Sequence, residues 1–295
     1  MDTNNIYVQE EQIYLKTQGV IQALLGNKHN NGSNTNSRLN SIYTEQSIKL
    51  ISTKLFTALN TFTDYEPINS TNSIIGMRNP SLSTFDEFKK FCIKLFEYDL
   101  RKTSNNIYDK LILDKNNCQY CFVRSVNALD HYFDKSTSPE LAIVPDNLIP
   151  ICSNCNSQKG KKRFIYPYFS VLLNTNWLKC TVNADKTFAF EVNNNFAKNN
   201  FESEILDKYN QQLMQHKIFE KYITPGQTLV IDRISEIQTY KFEIGMDKAY
   251  AKKIIKKRND KIVPNLLKNT EFYKIAILNG IIDDFDKIWN NVTIL

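Results

Sequence analysis

The chain is sparing with the residues that most often carry catalysis. Among 295 residues there are only three histidines and six cysteines. Six cysteines at this length are too few for a disulfide scaffold, which fits a reducing cytosol. No apolar run approaches the roughly 20 residues of a membrane span. The opening stretch, MDTNNIYVQEEQIYLK, is acidic and polar, unlike a secretory leader. A cytoplasmic chain without a membrane partner is therefore expected. The G-x-x-x-x-G-K-[ST] phosphate loop is absent, and so is any internal repeat.

What is present suffices for real cores. Apolar residues make up 42%, with 18 Phe and 15 Tyr, which argues against general disorder. The length allows one large domain or two to three small ones. The formal charge of +6 permits a polyanionic partner without demanding one. Heavy use of Asn, Lys and Ile carries no functional message.

Helical spacing of apolar residues over 8–25 runs into GNKHNNGSNTNSRLNS, which reads as a loop. Two more amphipathic stretches follow, TEQSIKLISTKLFTALNTF and STFDEFKKFCIKLFEYDLRK. In the second, Ser83 or Thr84 is the candidate N-cap, and Thr84 with Glu87 would form a capping box. Downstream, WLKCTV and TFAFEV flank the turn-like NADK and predict a hairpin. Helical periodicity returns near residue 202 and is expected to break at Pro225–Gly226. The stretch 247–261 is strongly basic and reads equally as a solvated helix face or a nucleic-acid groove. TEFYKIAILNGIIDDFDKIW predicts a final amphipathic helix. The fold class expected is α+β, mostly helical, with a compact cysteine-rich centre and a short hairpin after it. The boundaries expected are a helical region at 1–112, the cysteine-rich segment at 113–170, and a hairpin plus helices for partner docking at 171–295.

One region departs from this ordinary background. CQYCFVRSVNALDHYFDK, 118–135, and PDNLIPICSNCNSQKGKK, 145–162, hold four of the cysteines and one of the histidines. Cys118 with Cys121, and Cys152 with Cys155, form two C-x-x-C pairs. Two such pairs can place four thiolates tetrahedrally on one zinc, a closed site that holds structure and leaves no position for water. The competing reading is two unrelated pairs or a redox dithiol. Cys92 and Cys180 sit in apolar patterns and are expected to be buried thiols.

Between the pairs, NALDHYF reads as a strand that ends on Asp130 and His131. PDNLIPIC reads as a second strand, and SNCNSQKGKK as a helix start that delivers Asn156. Strand, loop, strand and helix with converging polar groups is the layout of a ββα-metal finger. His131 has the pKa range of a general base near neutral pH. An isolated Asp–His pair more often marks a hydrogen-bonded surface, and Asn147 alone would more often be a turn or cap residue. His29 and His216 lack ligand-spaced partners and receive no role.

These residues resemble the HNH endonuclease family in its four-cysteine form. The matching positions are Cys118 and Cys121, Asp130–His131, Asp146–Asn147–Leu148, and C-x-x-C-N-x-x-K at 152–159. The likeness covers about 45 residues, and Asn156 stands where the family's last His is usual. The resemblance implies phosphodiester hydrolysis with His131 as base. Asp130 and Asn156 would hold one magnesium or manganese ion, and Asn147 would act indirectly, bracing the loop or orienting the His ring. The basic residues Lys159, Lys161, Lys162 and Arg163 read as a solvated helix end or as phosphate contacts. After a phosphodiesterase motif the second reading is preferred. DNA is the expected substrate, with RNA not excluded. The segment and the YPYF and WLKC that follow also resemble HNH proteins of bacterial phage-defence loci, such as the Septu nuclease component. That likeness implies a separate ATPase or sensor as partner. A zinc-dependent nucleic-acid-binding module, a restriction or mobile-element nuclease, and a protein-interaction scaffold are the competing functions.

Overall fold

The computed structural model describes residues 9–26, 33–67, 84–102, 106–113, 115–160 and 162–293. The chain is α+β, mostly helical, with two small antiparallel strand pairs among the described residues. It divides into two compact units, one of residues 1–116 with 126–170, the other of 117–125 with 171–295.

In the first unit, α1 (Glu10–Leu25) buries Ile13, Thr17, Val20, Ile21 and Leu24, the apolar stripe its spacing dictates. α2 (Ser33–Ile42) occupies a stretch expected to be loop, a correction to the sequence reading; its Leu39 and Ile42 are buried. Burial of those two side chains outweighs the weak helix propensity of the surrounding Asn and Ser. α3 (Glu45–Thr61) starts at Thr44, whose hydroxyl accepts from the Ser47 N–H at 3.1 Å, and it packs on α1. α4 (Phe85–Lys94) opens with the expected capping box: Thr84 and Glu87 exchange backbone-to-side-chain bonds at 3.2 Å each. One π-helical turn, Leu95–Asp99, continues it, and α5 (Ile107–Leu113) follows.

β1 (Ala128–His131) pairs antiparallel with β2 (Leu148–Ile151), with Asp130 opposite Ile149 and His131 opposite Leu148. α6 (Ser153–Lys159) follows directly and ends at Gly160, whose φ of 54° lies in the left-handed region that favours glycine. Strand, loop, strand, helix is thus the observed order.

In the second unit, β3 (Leu178–Val182) and β4 (Phe188–Val192) form the expected hairpin. Five helices follow: α7 (Asn200–Gln215), α8 (Ile218–Gln238), α9 (Lys248–Lys268), α10 (Phe272–Asp283) and α11 (Phe285–Asn291). Two expectations are corrected. α8 runs through Pro225, and the chain turns earlier, at Lys217 with φ 50°. Pro225 forfeits one backbone donor, but Gly226 beside it lets the helix sit against Ile277 and Phe188, where an added Cβ would come within 2.8 Å and 3.2 Å. The final stretch is two helices, and α10 is buried on nearly every side, including Phe272, Ile275, Ile277, Leu278 and Ile281. Its Gly280 lies against β3, where a Cβ would fall 2.0 Å from the Cys180 carbonyl oxygen.

Candidate active site

Cys118 and Cys121 lie on a tight knuckle. The Phe122 N–H donates to the Cys118 carbonyl, and the Cys118 N–H to that of Arg124, both at 2.8 Å. Cys152 caps α6, its Sγ accepting from the Cys155 N–H at 3.4 Å. All four are buried free thiols, and their sulfurs lie within 4.8 Å of one another. In a tetrahedral zinc site with Zn–S near 2.3 Å the sulfurs stand about 3.8 Å apart, so this set fits zinc. Cys92 and Cys180 are also buried, as expected.

His131 ends β1 and is 9% exposed. Nε2 lies 3.0 Å from the Ala142 carbonyl, which can only accept, so Nε2 carries the proton and Nδ1 the free lone pair. The Phe96 ring meets the imidazole edge-on at 4.4 Å between centroids. Burial drives the His131 pKa down to about 4, partly countered by the Ala142 bond. The imidazole is therefore neutral at pH 7, the state a proton acceptor needs.

Asn147 is fully buried and makes three side-chain bonds across the β1–β2 loop. Its Oδ1 accepts from the Phe133 N–H at 2.8 Å, and its amide donates to the carbonyls of Phe133 and Leu141 at 3.1 Å and 3.2 Å. No part of it reaches solvent. It fixes the loop that carries Ala142.

Asp130 is largely buried, and burial raises its carboxyl, with Lys159 pulling it back down. The Lys159 ammonium lies 3.2 Å from Oδ1 and 3.0 Å from Oδ2, and 3.4 Å from the His131 carbonyl. Oδ2, although close to that nitrogen, accepts no well-directed hydrogen bond. The Asn156 amide, on the first turns of α6, makes no side-chain hydrogen bond among the described residues. Asp130, His131, Asn156, Lys159, Lys162 and Arg163 all line one open cleft of about 790 Å³ in the first unit. An underused carboxylate oxygen and a free amide oxygen fit a hard cation that takes its other ligands from water and phosphate.

Residues 118–162 match the family model described as HNH endonuclease. The matched segment carries a nuclease-type domain with metal-binding residues, and a nuclease domain implies a nucleic-acid substrate. No curated protein and no solved structure matches the chain. Among the described residues, no helix is long and apolar enough to cross a membrane.

Within the HNH segment the basic residues are not equivalent. Lys159 is 5% exposed and points inward at Asp130. Lys162 is exposed at the cleft. Arg163, just beyond the segment, is bonded to Asp64 at 2.8 Å and to the Thr63 carbonyl at 3.2 Å, with its guanidinium near the rings of Phe62, Tyr132 and Phe133. Lys161 lies outside the described residues, as does His29. His216 caps the end of α7 and belongs to no metal-ligand cluster among the described residues. Three contributors escaped the sequence reading. The Ala142 carbonyl orients His131, Phe96 packs on its ring, and Lys135, paired with Glu97 at 2.9 Å, lines the cleft. Nothing in their local sequence marks them.

Proposed function

We propose that the chain is a divalent-metal-dependent HNH nuclease that hydrolyses DNA phosphodiester bonds. The observation that supports this most is the convergence of Asp130, His131 and Asn156 on one cleft inside the matched segment. His131 takes a proton from the attacking water through Nδ1, while the Ala142 carbonyl holds the ring by Nε2–H. Asp130 and Asn156 would hold magnesium or manganese, which when bound offsets charge on the scissile phosphate and the leaving oxygen. Asn147 positions the loop and touches no substrate. Lys162 and Arg163 meet phosphates at the cleft wall, and Lys159 is the resident counter-ion of Asp130. The four cysteines hold zinc as structure.

On this reading 113–170 is the nuclease finger, and the helical flanks 1–112 and 171–295 serve assembly and control. The likeness of NALDHYF…KGKK to phage-defence HNH proteins supports a role as nuclease effector in a bacterial anti-phage system, beside a separate ATPase. A nicking assay on plasmid DNA with magnesium, manganese or EDTA tests the activity. Metal-dependent cutting lost in His131→Ala, with zinc content and DNA binding kept, is the expected result. One observation favours a binding module instead, namely that the Lys159 ammonium already neutralises Asp130. Unmodified cutting by His131→Ala would decide against the HNH assignment, and binding without any cutting in manganese would decide for the binding module.

A further inference from the structure

We infer that the outer face of α9 is a second nucleic-acid contact, gripping the phosphate backbone of the substrate outside the HNH segment. The inference rests on the proposed nuclease reading for the identity of the polyanion. α9 buries Ala251, Ile255, Asn259 and Leu266 along one side. At 100° per residue, Lys253, Lys256, Lys257 and Lys261 fall on the opposite arc, and all four are exposed. Tyr250, 57% exposed, lies on the same arc.

Of the other cations of this helix, Lys268 is exposed in the last turn with no ion pair among the described residues, and the remaining three are committed. Lys248 and Lys252 reach Asp286 at 2.9 Å and 3.5 Å, and Arg258 pairs with Glu236. No ion pair engages Lys253, Lys256, Lys257 or Lys261 among the described residues, and the only acid on their arc is Asp260. Lys253–Lys257 and Lys257–Lys261 are like-charge pairs four residues apart, a spacing at which equal charges repel on a helix surface. A helix that sets its committed cations to one side and leaves a repelling row on the other is matched to an anionic partner. Along the axis these lysines recur about every 6 Å. Two steps of a DNA strand, at about 3.4 Å each, cover a similar length. Tyr250 adds a ring able to stack on a base.

The test is fluorescence anisotropy of a labelled DNA duplex on the full chain in EDTA, from 50 to 300 mM salt. The triple variant Lys253→Gln, Lys257→Gln, Lys261→Gln is compared with a charge-matched control, Lys49→Gln, Lys90→Gln, Lys208→Gln, whose three positions are also exposed. Each lost phosphate contact reduces the slope of log K against log salt by about 0.9. The α9 variant should lose about 2–3 of slope and bind at least tenfold more weakly at 100 mM, and the control should match the unmodified chain. An unchanged slope, or an equal fall in the control, overturns the inference while DNA binding by the unmodified chain leaves the nuclease reading standing. No DNA binding by the unmodified chain overturns both. A parallel titration with polyglutamate in which α9 alone matters, with DNA binding unaffected, assigns the face to an acidic protein and also overturns it.

Discussion

Replacing Asn147 with alanine removes the brace of the β1–β2 loop. The side chain is fully buried and satisfies the Phe133 N–H at 2.8 Å, the Phe133 carbonyl at 3.1 Å and the Leu141 carbonyl at 3.2 Å. Of these, the Leu141 carbonyl keeps another donor, the Val144 N–H at 3.2 Å. The two Phe133 groups are left buried and unbonded. An unsatisfied buried polar group costs about 1–3 kcal/mol, and the deleted amide also leaves a void, so a loss of about 3–5 kcal/mol is expected. That is a large share of the roughly 5–15 kcal/mol that keeps a domain folded. Ala142 is the residue after Leu141, so a loosened loop also frees the His131 ring. Urea unfolding followed by circular dichroism, at fixed zinc, reads the first effect. A cleavage assay reads the second as a fall in kcat at near-constant KM. Asn147→Asp keeps the acceptor but sets a buried carboxylate against two carbonyl oxygens, so at neutral pH it should cost at least as much as alanine. A loss under about 1 kcal/mol for Asn147→Ala would refute the reasoning.

Three other outcomes follow from the same geometry. Cys152→Ser should abolish the one-zinc stoichiometry in elemental analysis and most of the soluble folded protein, because structural zinc supplies about 10–16 kcal/mol of apparent binding energy in small zinc folds; folded protein free of zinc would sink the structural assignment. Lys159→Met removes the cation that sits on Asp130, so manganese binding followed by electron paramagnetic resonance should tighten about tenfold, and unchanged or weaker binding contradicts the counter-ion role. Asp146 is 5% exposed, its Oδ2 is unbonded, and burial raises its carboxyl despite Lys16 at 2.7 Å. Its folded pKa therefore exceeds the unfolded value near 3.9, and the native state is penalised as pH rises through the interval between them. The stability gap between Asp146→Asn and the unmodified chain should widen in favour of the variant from about pH 4 upward and then level off; a gap independent of pH argues against the shift.

The strand, strand, helix order over 128–159 was legible because its signals are local. A C-x-x-C fixes a knuckle, alternation in NALDHYF fixes a strand, and Cys152 to Asn156 fits the first turns of a helix. The Thr84–Glu87 box was readable for the same reason, since its partners are three residues apart. The errors came where packing overrode local preference. Pro225 reads as a breaker, yet α8 continues through it, held by the buried side chains of Tyr222 and Val230 on either side. The Asn- and Ser-rich stretch after residue 32 reads as a loop, yet burial of Leu39 and Ile42 holds it as a helix.

The chemistry of the site shows the same division more sharply. Asp130, His131 and Asn156 were singled out by spacing and lie on the cleft, Phe96 and Lys135 lie there unannounced, and the state of each depends on groups far away in sequence or on main-chain atoms. His131 is held neutral because Phe96 and the loop bury it, and its tautomer is set by a backbone carbonyl that any residue at 142 would supply. Lys159 reads from sequence as one more cation in a basic run. Its inward turn follows from β1 placing Asp130 beside α6, which leaves the buried carboxylate needing a partner within reach. Of the basic residues after Asn156, Lys159 faces inward while Lys162 remains exposed at the cleft. A run of like charges in sequence thus separates into different physical roles once the strand, the helix and the buried acid are in place.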